Sequence, residues 1–177
     1  MWSTKEKKEF LKSDFYDALR WLFEGAVTWR AITTDPKRWR HQKVQGMYTS
    51  LVQARALYEF FYKTPKGDDA SARHFVSSWT PIKTAPYKNY MARGQPAQKR
   101  VFHLVYGRSK HSGGTGHDGP DHLNEQVLSF ALDLRQLIEE FARLADPQFQ
   151  VLIEGALNEA LAEANDAVRF YGIANPF

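Results

Sequence analysis

Apolar residues at helical spacing run through most of this chain and leave few ways for it to fold. Between about Lys5 and Ile32, Phe10, Leu11, Phe15, Ala18, Leu19, Leu22, Phe23 and Ala26 recur at intervals of three and four, which gathers them on one side of an α-helix. A second stripe of Val44, Met47, Tyr48, Leu51, Ala54, Tyr58 and Phe61 runs toward Tyr62. A third, after Asp121, consists of Val127, Phe130, Ala131, Leu134, Leu137, Ile138, Phe141 and Leu144. Each stripe needs another helix to cover it, so helix-on-helix packing is the architecture they permit.

The punctuation agrees. Asp35 before Pro36, and Asp146 before Pro147, each place a side-chain acceptor ahead of a proline at the first helical position, where a missing N–H costs nothing. The second helix is therefore expected from Pro36 to Tyr62, and the last from Pro147 to Tyr171, closed by Gly172 in the left-handed region. Pro65 and Gly67 in "KTPKGDD" end the second helix. "DDASARHFVSSWTP" predicts a short amphipathic helix, and residues 82–96, with Pro86, Gly94 and Pro96, predict loops and turns. Ala97 to Tyr106 predicts a three-turn helix, although Val101, Phe102, Val105 and Tyr106 would also suit a strand. "GRSKHSGGTGHDGP" predicts a glycine-rich loop. The expected fold is all-α: an up-and-down helical bundle of four long helices with shorter helices and that loop.

At 177 residues the chain fits a single domain, 1–177, with its core over about 10–171, and can bury a core without metal or disulfide staples. The absence of cysteine excludes disulfides, thiolate metal sites and cysteine nucleophiles. The charged start, "MWSTKEKKEFLKSDF", lacks a signal-peptide core, and no apolar run is long enough for a membrane span. A cytoplasmic protein with no membrane partner is expected. The net charge of +4 conceals an asymmetry: residues 1–110 carry 21 Lys/Arg against 9 Asp/Glu, and residues 111–177 carry 3 against 11. Either the two parts pack against each other, or each is a solvated face, or the basic part offers a surface to phosphate groups.

Arg55 lies four residues after Leu51 and three before Tyr58, on the stripe that faces the core. A guanidinium there needs a carboxylate, phosphate or carbonyl, so an acidic residue of the C-terminal helices or an anionic ligand is expected beside Arg55 and Tyr58, or else a side chain that snorkels its charge to solvent. In "KRVFHLVYGR", His103 shares a helix side with Lys99 and Arg100 and borders the core. Arg100, His103, Tyr106 and Arg108 form a candidate phosphate site, with arginine supplying planar donors and tyrosine a stacking face. His111, His117, Asp118, Asp121 and His122 allow a metal-assisted hydrolase in principle, but a flexible loop does not pre-organise ligands and no His-Glu-x-x-His spacing occurs. No metal and no cofactor are expected. The glycines are not followed by Lys-Ser/Thr as in a nucleotide-binding P-loop, and no serine sits in a Gly-x-Ser-x-Gly elbow.

The helical order, with "QARALYEFFY" on the second helix and "KRVFHLVYGR" further on, resembles the HEPN-like helical bundles of prokaryotes over about residues 10–170. Many HEPN members are metal-independent RNases, toxins or defence proteins that use an arginine and a histidine separated by four to six residues. For His103 that arginine would stand at 96, 97 or 98, where the chain has Pro96, Ala97 and Gln98, and the other histidines lack it too. Lys110, seven before His117, cannot reproduce the guanidinium fork. The resemblance therefore implies a bundle fold, self-association as a homodimer or other homo-oligomer, and non-catalytic binding of RNA or a nucleotide.

The leading expectation is a non-enzymatic bundle binding an anionic ligand, RNA or a nucleotide, through its basic N-terminal part. The alternatives are a protein–protein assembly module without a small ligand, and a hydrolase or nuclease using the loop histidines.

Overall fold

The computed structural model describes residues 2–34, 42–91 and 122–177. Among them the elements are helical throughout: α1 (Thr4–Lys12), α2 (Asp14–Thr34), α3 (Lys43–Tyr62), a 3-10 turn (Ala72–His74), α4 (Ala85–Met91), α5 (His122–Leu144) and α6 (Pro147–Tyr171). None of these helices is long and apolar enough to cross a membrane.

Local chemistry sets the ends. Ser3 and Glu6 form a reciprocal capping box at the start of α1, with Ser3 N donating to Glu6 Oε2 at 2.6 Å and Glu6 N to Ser3 Oγ at 3.3 Å. At the start of α6, Asp146 Oδ1 accepts from Gln148 N at 3.0 Å while Pro147 occupies the first turn. Gly172 closes the same helix at φ 65°, a conformation glycine adopts without Cβ strain.

The four long helices pack as a bundle around one core. Phe15 meets Phe60 at the lower end, and Gly25 meets Gly46 higher up, so α2 and α3 run antiparallel. Tyr58 lies beside Phe130, and Phe61 beside Phe141, so α5 runs parallel to α3. Tyr16 bonds Glu163 and Thr28 approaches Tyr171, so α6 runs parallel to α2. The chain thus forms two antiparallel hairpins, α2–α3 and α5–α6, and the long connection between them returns to the upper end before α5 begins. Within that connection α4 climbs along α3 from Tyr87, beside Tyr62, to Tyr90, whose hydroxyl donates to the Leu51 carbonyl at 2.6 Å. The helix ends at Thr34, Lys43 and His122 consequently lie at the upper end, whereas α4 stops partway up, with Tyr90 at the level of Leu51 and Phe130.

At the lower end the core is aromatic. Phe10, Phe60, Phe61, Phe75, Trp79 and Phe141 interlock through edge-to-face and tilted contacts, and burial of each such ring contributes about 1.5–3 kcal/mol.

The expected single helix over 5–32 is two helices. Ser13 N donates to Glu9 O at 3.0 Å to close α1, and Ser13 O accepts from Asp17 N at 2.8 Å to open α2. The amphipathic helix expected from Asp68 to Pro81 contracts to the 3-10 turn, capped by Ser71 Oγ accepting from Arg73 N at 3.3 Å. Residues 85–91 are helical where loops were expected, because Pro86 takes the first turn of α4 and Thr84 Oγ1 accepts from Tyr87 N at 3.3 Å. The expected helix over 97–106 and the glycine-rich loop lie outside the described residues, as do Asp35 and Pro36.

Candidate functional site

Arg55 sits on the flank of the buried stripe of α3, beside the fully buried Leu51, Ala54 and Tyr58. Its side chain is 33% exposed, and its Nε lies 2.9 Å from Glu59 Oε1, one turn along the same helix. Lys63 Nζ reaches the same oxygen at 2.8 Å. Burial disfavours the charge on Glu59, but the bonds from Lys63 and Arg55 outweigh it and hold this carboxyl below its usual range. The described carboxylate partner of Arg55 is Glu59 on α3 itself, and the side chain reaches solvent.

Tyr58 is fully buried and is not a surface on which a ligand could stack. Its ring contacts Tyr62, Tyr87, Tyr90 and Phe130, and its hydroxyl donates to Asp133 Oδ2 at 2.7 Å. Thr84 Oγ1 donates to the same oxygen at 2.9 Å. Burial raises the Tyr58 phenol far above its ordinary range, and the adjacent Asp133 charge adds to the effect. One carboxylate of α5 thus ties α3 to the cap of α4. Nothing in the sequence singles out Asp133, because an aspartate on a helix flank looks like a solvated residue.

Arg100, His103, Tyr106 and Arg108 lie outside the described residues, so the structure does not relate them to Arg55.

A second polar group, unforeseen in the sequence, joins α2 to α6. Arg20 Nε lies 2.6 Å from Glu163 Oε2 and 3.6 Å from Glu24 Oε1. Tyr16 donates to Glu163 Oε1 at 2.7 Å, which pushes its phenol up to about 12. Burial raises the Glu24 carboxyl, and Glu163 opposes Arg20 in setting it. These side chains border an open cleft of about 410 Å³ that continues toward Thr28, Asp166 and Tyr171. Two carboxylates sharing one guanidinium leave this cleft acidic. The only sequence signal is the spacing of Tyr16, Arg20 and Glu24, four residues apart, which places them on one side of α2. Among the described residues, no group of three or more His, Asp or Glu is placed to hold a metal ion.

Comparison of the chain with protein-family models, curated proteins and solved structures finds no match.

Proposed function

We propose that this chain is a non-enzymatic helical-bundle protein that binds an anionic ligand, RNA or a nucleotide, through its basic N-terminal part. One observation carries this reading: the excess positive charge belongs to two stretches outside the described residues. Residues 35–41 and 92–121 hold eight of the 24 Lys/Arg and three of the 20 Asp/Glu, so the helices themselves are close to neutral. "PKRWRH" and "KRVFHLVYGR" interleave those cations with Trp39, Phe102 and Tyr106, the combination that single-stranded nucleic acid requires of its partner, phosphate neutralisation beside stacking faces. Arg100, His103, Tyr106 and Arg108 are the residues this reading assigns to the ligand.

The likeness to non-catalytic HEPN-like bundles belongs to the same proposal, as does a cytoplasmic, self-associating protein. Titration of labelled mixed-sequence RNA at low and raised salt tests the proposal, since phosphate contacts release counterions and affinity must fall as salt rises.

A further inference from the structure

At the lower end of the bundle a cavity of about 340 Å³ opens between the α1–α2 junction, the C-terminal half of α3 and the chain at 64–70. Its floor is apolar and fixed: Phe15, Leu57 and Phe60 are at most 5% exposed, and the Phe10, Phe15 and Phe60 rings pack on one another with centroids 5.5–6.1 Å apart. The rim is polar and unbalanced. Glu59 is paired with Lys63 at 2.8 Å and with Arg55 at 2.9 Å, whereas Asp14 and Asp69 have no ion pair or side-chain hydrogen bond among the described residues. Asp69 is held at the rim by a tight turn, in which Gly67 at φ 61° lets Asp69 N donate to Lys66 O at 3.1 Å.

An apolar cavity beneath two carboxylates without ion pairs among the described residues selects a ligand with an apolar body and a positive head. We propose that this cavity binds a small amphiphilic ammonium, an aryl or alkyl amine in its cationic form. The hydrocarbon part lies against the partly exposed Phe10, Ala18 and Ala70 and the exposed Ala56, over the buried Phe15, Leu57 and Phe60, and the ammonium lies between Asp14 and Asp69. This site is independent of the basic stretches and takes the opposite charge.

The test titrates 2-phenylethylammonium into the isotopically labelled full chain and follows backbone amide shifts, with 2-phenylethanol and phenylacetate as matched neutral and anionic probes. The expected affinity order is ammonium, then alcohol, then carboxylate, with shifts centred on Asp14, Phe15, Phe60 and Thr64. Asp14→Asn and Asp69→Asn should each weaken the ammonium about two- to fivefold and leave the alcohol unchanged. Ala56→Trp, at an exposed lining position, should block all three probes without altering the helical circular dichroism. Absence of shifts at about 10 mM ammonium, equal binding of phenylacetate, or indifference to both Asp variants would each overturn the proposal. So would retained binding in a folded Ala56→Trp variant.

Discussion

Gly25 and Gly46 bring the backbones of α2 and α3 together at their crossing. A Cβ on Gly25 would lie 2.7 Å from Ser50 N and 2.9 Å from Gly46 O, and one on Gly46 would lie 2.9 Å from Trp29 N. Backbone atoms cannot move aside as a side-chain tip can, so either alanine substitution must push the helices apart. Gly25→Ala and Gly46→Ala should each lose about 1–3 kcal/mol, read as a lowered denaturant midpoint. Gly155, mid-helix on α6, provides the control, because a Cβ there would meet nothing within 4 Å. At that position the same substitution should gain up to about 1 kcal/mol from helix propensity alone.

The Tyr58–Asp133 bond is a buried donor on a carboxylate. Tyr58→Phe keeps the ring and removes the bond, and should lose about 1.5–3 kcal/mol. A double-mutant cycle with Asp133→Asn should give a coupling of about 0.5–3 kcal/mol. A coupling near zero would mean that Thr84 alone satisfies Asp133.

Arg55 sharpens the contrast. A one-third exposed guanidinium paired with Glu59 at i, i+4 is screened by solvent at that contact, so a double-mutant cycle of Arg55→Ala with Glu59→Ala should give a coupling of less than about 1 kcal/mol. A coupling of about 3–5 kcal/mol would instead mark a buried ion pair.

The acidic cleft gives a pH dependence of defined sign. Glu24 is raised above 4.5 by burial, so the folded state holds this proton more tightly than the unfolded chain. The associated stability is complete below the unfolded value and is lost as pH rises through the folded one. Glu24→Gln should therefore melt higher than the parent at pH 7, with the difference closing near pH 4. Thermal melts across that range check the sign, and a variant less stable at pH 7 would refute it.

Where signals are local, the sequence is readable. The Asp146–Pro147 start and Gly172 end of α6 need only neighbouring residues, and both stand as expected. The break at Ser13 is hidden because Phe10, Leu11, Phe15 and Ala18 keep helical spacing across it. Helix α4 is hidden because Pro86 looks like a breaker, although the rule that fits Pro147 also fits it, with Thr84 as the cap. The site is less legible. Spacing places Arg55 on the stripe to within its flank, but flank and centre differ by only one residue's rotation, and that decides whether a guanidinium is buried. Tyr58 looks like a ligand face because its partner Asp133 is 75 residues away. The Gly25–Gly46 crossing has no local signature at all, since glycine within a helix marks only a weak position until its neighbour is known.

If the basic stretches 35–41 and 92–121 hold a polyanion, their cations must set both its affinity and its salt dependence. Fluorescence polarisation of labelled mixed-sequence RNA between about 50 and 200 mM salt reads both quantities. The parent is compared with a Lys37→Gln/Arg38→Gln/Arg40→Gln variant, a Lys99→Gln/Arg100→Gln/Arg108→Gln variant, and a Lys5→Gln/Lys8→Gln/Lys12→Gln control on α1. Binding at low salt should fall steeply as salt rises, each of the first two variants should bind more weakly with a shallower salt slope, and the control should behave as the parent does. No binding at low salt, or binding undiminished in both of these variants, would show that these stretches do not hold the polyanion.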